Sequence, residues 1–221
     1  MCKTFFIILL TTVLLTGCQS NRHDTIIYKL HENWTFSSEN KNKYHQATVP
    51  GNIFSDLIDN KIIKDPFVGT NESKVQWVSD SVWIYNSDFK IPESILDKNN
   101  ITLNFDGLDT YASIRLNGKE LMSTNNAFRK YSIPIKGVVN SENTLEIKFE
   151  PTKPHEDFAK NKLSYTMPEG NRIFTRKAQF QYGWDWGPVI NTRGIWKDIY
   201  LKAWNKAAIE HIYLEQDSYS D

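Results

Sequence analysis

The stretch Tyr111–Leu121, YASIRLNGKEL, decides the fold. Ala112, Ile114 and Leu116 alternate with polar neighbours, the period of a strand with one buried face. Asn117-Gly118 then interrupts the pattern with two residues suited to the positive φ angles of a type I′ turn, and the chain turns back. An antiparallel hairpin is therefore expected here, and the rest of the chain repeats its pattern. In VWIYNSDFKI, Trp83, Tyr85, Phe89 and Ile91 share one face; in ITLNF, Ile101, Leu103 and Phe105 oppose Thr102 and Asn104; in TLEIKF, Leu145, Ile147 and Phe149 alternate with polar residues. Helix is scarce. After Pro50-Gly51, Ile53, Phe54, Leu57 and Ile58 fall on one helical face, and a second short helix is expected around Phe158. Between Pro151 and Gly183, Pro154, Pro168 and Gly170 with weak periodicity predict an extended surface connection, of the kind that lines sites. A strand follows Gly194 in IWKDIYLKAW, Asn205-Lys206 breaks it, and IEHIYLEQ begins another. Short antiparallel strands joined by long crossing loops predict an all-β fold, a jelly-roll β-sandwich over residues 25–205 with one or two short helices. Residues 206–221 are expected to be the first strand of a further domain.

The start of the chain reads differently. Lys3, the apolar run Phe5–Leu15 and then Leu15-Thr16-Gly17-Cys18 form an export signal over residues 1–17, too short to span a bilayer as a helix. The ending at small residues before cysteine resembles the bacterial lipoprotein signal, which makes Cys18 the lipidated first residue and residues 18–24 a tether. With Gln19 following, the expected place is the bacterial cell envelope, lipid-anchored at the outer membrane. Cys2 and Cys18 are the two cysteines of the chain, so no disulfide is expected to hold the domain. The five histidines, His23, His31, His45, His155 and His211, lack metal-ligand spacing, and neither a metal nor a cofactor is expected. Lys plus Arg equals Asp plus Glu at 26 each, which gives no electrostatic footprint for nucleic acid. Aromatic residues make up 13% of a chain whose mean hydropathy is −0.50. That combination suits a carbohydrate binder and equally a β-sandwich core.

No nucleophile elbow, phosphate loop or dinucleotide fingerprint occurs in the chain. Asp106 and Asp109 in FDGLDTY are the closest apolar-flanked carboxylates, and turn chemistry assigns them to backbone N–H groups nearby rather than to a glycosidic pair. The stretch YGWDWGP, Tyr182–Pro188, admits two readings. In one, Trp184 and Trp186 point to opposite faces of a strand end, Gly187-Pro188 turns the chain and Asp185 caps a backbone group. In the other, an indole platform beside a carboxylate offers an apolar face and a charged acceptor, which together match a sugar. The second reading places Asp185 outward beside Trp184, with Trp186 as the buried partner.

The run RKAQFQYGWDWGPVINTRGIWKDIYL, Arg176–Leu201, resembles the matching segment of β-mannosidases, members of the clan of large glycoside hydrolases that includes β-galactosidases and β-glucuronidases. VPGNIFSDL at 49–57, DPFVGTNE at 65–72, QWV at 76–78, FDGLDTYASIRLNG at 105–118 and NAF at 126–128 resemble that family's first domain in the same order. The resemblance implies a jelly-roll followed by an immunoglobulin-like domain and a barrel with two catalytic glutamates. This chain stops at Asp221, so the acid/base and nucleophile are expected outside it. Trp184 and Asp185 match the pair that contacts the terminal mannose, and Asn71 lies in a loop expected near the same rim. The function implied is that of a non-catalytic module of an exo-acting β-mannosidase, with β-mannoside glycans and the barrel as partners. The alternative is a stand-alone glycan-binding surface lipoprotein. Replacement of Cys18 by serine is expected to release the protein from membranes or block its processing; unchanged membrane partitioning of Cys18→Ser would remove the lipid anchor from this reading.

Overall fold

The computed structural model describes residues 25–39, 43–168, 170–210 and 212–218. The expected signal, Cys18 and the tether lie outside the described residues. Strands Ile26–Lys29 (β1), Trp34–Ser38 (β2) and His45–Gln46 (β3) open the fold, followed by helices Ile53–Asp59 (α1), Asn71–Lys74 (α2) and Trp77–Asp80 (α3). Strand Trp83–Lys90 (β4) and helix Glu93–Leu96 (α4) lead to the strands Asn100–Phe105 (β5), Tyr111–Leu116 (β6), Lys119–Asn125 (β7), Tyr131–Pro134 (β8) and Glu142–Phe149 (β9). After helix Thr152–Lys160 (α5) come two 3-10 turns, then Tyr182–Trp184 (β10), Gly187–Val189 (β11) and Ile199–Trp204 (β12). One sheet runs β3-β2-β4-β9-β6-β7 and the other β1-β12-β5-β8, with β10-β11 as a separate ribbon.

Alternation along each strand creates the core, because antiparallel register sets like faces side by side. Tyr85 lies opposite Ile147, Trp83 opposite Phe149, and Ile147 in turn opposite Ile114. In the other sheet Leu201 lies opposite Leu103 and Ile199 opposite Phe105. These side chains are all buried and belong to one apolar cluster. Burial of each is worth about 1.5–3 kcal/mol relative to exposure. Trp34 is fully buried and satisfies its indole N–H on the Leu30 carbonyl at 2.8 Å. At the β6–β7 turn Asn117 and Gly118 have φ of 54° and 77°, as the hairpin reading requires. The all-β sandwich is thus as expected.

Three features differ. The one-turn helices α2, α3 and α4 exceed the one or two helices anticipated, because four residues are too few to display a helical period. The connection after Pro151 is built of α5 and two 3-10 turns rather than extended chain; Pro154 sits in the first turn of α5, where its missing N–H leaves no intrahelical bond unmade. Residues 206–210 and 212–218 form no helix or strand and expose Ile209, Ile212, Tyr213 and Leu214.

Helix α1 begins at Asn52, whose side-chain oxygen accepts from the N–H groups of Phe54 and Ser55. Its buried Asp56 accepts from Thr48 N at 2.8 Å and from the Tyr85 hydroxyl at 2.6 Å, which ties the helix to the centre of β4. Burial pushes this carboxyl up to about 6, against those two hydrogen bonds, which hold it down. The folded value exceeds the ordinary 3.8, so the native state holds the proton more tightly. Asp56 therefore stabilises the fold fully below about pH 4, and that contribution fades as pH rises through about 6, by about 3 kcal/mol at most. Urea unfolding between pH 4 and 8 is expected to show this slope in the parent and to lose it in Asp56→Asn.

Candidate functional site

Gly183 shapes the site. Its φ is 78°, and a Cβ there would lie 2.7 Å from the Val189 side chain and 3.2 Å from the Gly187 carbonyl. Glycine alone lets β11 fold back this closely on β10. Tyr182 pairs with Val189 and Trp184 with Gly187, so Asp185-Trp186 is a two-residue turn at the tip of the ribbon. The turn falls two residues earlier than the Gly187-Pro188 position read from the sequence. Neither Asp185 nor Trp186 has a positive φ, so the turn carries no glycine or asparagine signature. Pro188 instead sits in β11, a strand of a two-stranded ribbon where its missing N–H interrupts no wider sheet.

Asp185 is exposed at this tip, and among the described residues its carboxylate has no hydrogen-bond or ion-pair partner. It does not cap its own loop. Trp184 is 60% exposed, with the Arg172 guanidinium 5.4 Å from its ring centroid. Trp186 is 85% exposed, which overturns the expectation that it is the buried partner; as a turn residue it has no layer to pack into. Beside the tip lies a groove of about 750 Å³ whose lining includes Trp184, Trp186, Phe180, Phe67, Ile58 and Ile190. Asn71 is not among its residues. Its amide donates to the Asp65 carbonyl at 3.0 Å and lines a separate small cavity with Ile63 and Trp77.

The neighbours of Asn71 matter more for the ribbon. Glu72 accepts from Val189 N at 2.7 Å, and the Gln76 amide donates to the Val189 carbonyl at 3.0 Å. On the other side the Tyr182 hydroxyl donates to buried Glu156, which also accepts from Thr175 at 2.8 Å. Burial, with the Glu156 hydrogen bond next, raises the Tyr182 hydroxyl well above its ordinary range. The ribbon is thus held at its base by polar side chains and free at its aromatic tip.

Asp109 corrects the turn reading. It is buried, pairs with the Lys177 ammonium at 3.3 Å and accepts from the Gln181 amide at 2.9 Å. Lys177 also donates to the Asn191 side chain and the Thr192 carbonyl, both at 2.6 Å. Burial lowers the Lys177 ammonium to about 8, with the Asp109 charge opposing it. Arg193, also buried, donates to the Ser81 carbonyl at 2.6 Å and to the Ser79 carbonyl. Asp106 instead pairs at the surface with Lys130 at 3.1 Å. Sequence reading missed Lys177, Gln181, Glu156 and Arg193, since isolated polar residues in a loop look solvated; the one signal available was their position in and beside the long connection after Pro151.

Residues 34–197 match the family model described as glycosyl hydrolase 2 galactose-binding domain-like. The chain belongs to this glycosyl hydrolase 2 family. It is 33% identical over 196 residues to a β-mannosidase of Rattus norvegicus, covering 84% of this chain and 22% of that protein. Identity to a β-mannosidase B of Emericella nidulans is 34% over 200 residues, covering 84% of this chain and 23% of the other. The crystal structure of a β-D-mannosidase from Dictyoglomus thermophilum superposes with a TM-score of 0.84 at 38% identity, over 88% of this chain and 24% of that one. The chain therefore spans less than a quarter of the length of these relatives. Among the described residues of this glycosyl hydrolase 2 domain, no group of three or more His, Cys, Asp or Glu could hold a metal ion, and no helix is long and apolar enough to cross a membrane.

Removing one partner of a buried pair strands the other charge. Lys177→Met is expected to lower unfolding free energy by about 3–5 kcal/mol, and Asp109→Asn with Lys177→Met to recover more than half of that loss. Denaturant titration of the single and double variants checks both.

Proposed function

We propose that this chain is the non-catalytic first module of an exo-acting β-mannosidase, with Trp184 and Asp185 forming one wall of the subsite for the terminal mannose. The observation that carries the reading is the presentation of an unpartnered carboxylate and two exposed indoles on a two-residue turn whose base is fixed by Glu72, Gln76 and Glu156. A rigid stalk with an exposed aromatic and acidic tip has no use within the fold itself. It suits a pyranose, whose C–H face rests on an indole while its hydroxyls donate to the carboxylate. Arg172, close over the Trp184 ring, helps hold that ring in place. The names of the relatives support mannose as the sugar.

The catalytic acid and nucleophile belong, in this reading, to a barrel in the same polypeptide or in a downstream chain. Attachment to the outer membrane through Cys18 belongs to the same proposal and rests on the Leu15-Thr16-Gly17-Cys18 sequence.

In a β-mannosidase carrying this domain, Asp185→Asn and Trp184→Ala are each expected to lower kcat/KM for an aryl β-mannoside by about tenfold to a few hundredfold, the loss of one or two charge-assisted hydrogen bonds or a stacked ring. Melting temperature should hold, because both side chains are exposed. Near-parental kcat/KM in both variants would reduce the tip to architecture.

A further inference from the structure

A second cavity, of about 440 Å³, adjoins the groove beside Trp184 and shares Asn52, Phe180, Gln181 and Thr192 with it. Phe180, the aromatic residue among the four, lines both cavities. The walls of the second are Phe180, 78% exposed, Phe128, 61% exposed, and Trp196; its lining also includes Asp109 and Gln181.

Each wall is fixed by the fold. Trp196 packs against Gly107 so closely that a Cβ there would lie 2.5 Å from its indole nitrogen, and that N–H donates to the Ala127 carbonyl at 3.1 Å. Ala127 N in turn donates to the Arg176 carbonyl at 2.8 Å, and Phe128 N to the Asn126 side chain at 2.9 Å. A phenyl ring is thus held out in solvent by a loop whose neighbouring residue, Ala127, is buried. The floor is equally preorganised. Asp109 Oδ2 accepts from the Gln181 amide, and the Gln181 side-chain oxygen Oε1 accepts from Thr192 N at 3.0 Å. Since a carboxylate oxygen takes two hydrogen bonds, Asp109 Oδ2 keeps acceptor capacity at the lining. Aromatic walls around a charged acceptor, in a cavity of ligand size, repeat the chemistry of the Trp184 and Asp185 wall.

We propose that the pocket between Phe128 and Phe180, floored by Asp109, is a second saccharide subsite that takes the sugar ring next to the one resting on Trp184. This rests on the reading of Trp184 and Asp185 as a sugar wall, and it assigns Phe128, Phe180 and Asp109 to the neighbouring ring of an oligosaccharide.

The test uses the chain itself, with methyl β-D-mannoside and β-1,4-mannobiose as probes and the tryptophan indole N–H signals as reporters. Mannobiose is expected to move both the Trp184 and Trp196 signals and to bind about tenfold tighter than the methyl glycoside, the gain from one more stacked ring with its hydrogen bonds. Phe128→Ala, exposed and without effect on melting, should erase that difference, and Phe180→Ala should weaken binding of both sugars. Equal affinity of the two sugars, or an unchanged ratio in Phe128→Ala, overturns the second subsite. Movement of Trp184 alone overturns it while leaving the sugar wall intact. Movement of Trp196 alone overturns the placing of the pocket next to the Trp184 ring, and movement of neither overturns the second subsite; the sugar wall itself is decided by the Asp185→Asn and Trp184→Ala kinetics in the enzyme carrying the barrel.

Discussion

A buried ammonium must find partners, and the need of Lys177 organises everything around the site. Its Nζ sits on Asp109, the Asn191 side chain and the Thr192 carbonyl, joining the segment before β6 to the segments on either side of the ribbon. Taking a charge out of water costs several kcal/mol, so these segments cannot drift apart without stranding Lys177 or Asp109. Gln181 donates to Asp109, and its side-chain oxygen accepts from Thr192 N; Ile190 N returns to the Gln181 backbone carbonyl at 3.0 Å. The base of the ribbon is therefore set by buried polar partners together with the Tyr182–Val189 pairing.

That arrangement separates stability from display. Beneath the ribbon, Glu72, Gln76, Glu156 and Tyr182 satisfy one another and the β11 backbone. At its end Trp184, Asp185 and Trp186 stand in solvent, although indoles are among the side chains that gain most from burial. Phe67, Phe180 and Phe128 are exposed along the same face or close to it. Scattered exposed apolar residues are ordinary on a protein surface; several aromatic rings lining adjoining cavities above a polar floor are not.

Legibility followed the range of the interaction. The β6–β7 hairpin was readable because Asn117 and Gly118 adopt positive φ, a demand that few residue types meet. The strands of the core were readable because Leu103, Ile114 and Ile147 obey period two whatever they pair with. The Asp185-Trp186 turn was not, since it uses backbone angles open to any residue and the adjacent Gly187-Pro188 pair offers a stronger but misleading signal. Asp109 read as a turn residue because its ionic partner lies 68 positions along the chain, at Lys177. Trp186 read as buried because an indole is ordinarily inside, a tendency that a two-residue turn cannot honour.

Alternating apolar residues and one Asn-Gly pair were sufficient for the sequence to determine an all-β sandwich, and the order of its motifs for it to indicate the glycosyl hydrolase resemblance. Those properties live in local periodicity and local backbone preference. Only the tertiary structure decided which carboxylate is free and which is buried: Asp185, flanked by tryptophans, lies open, whereas Asp109, flanked by leucine and threonine, is enclosed with Lys177. The reason is that desolvation and charge pairing depend on what the fold brings near, and residues distant in sequence supply those neighbours.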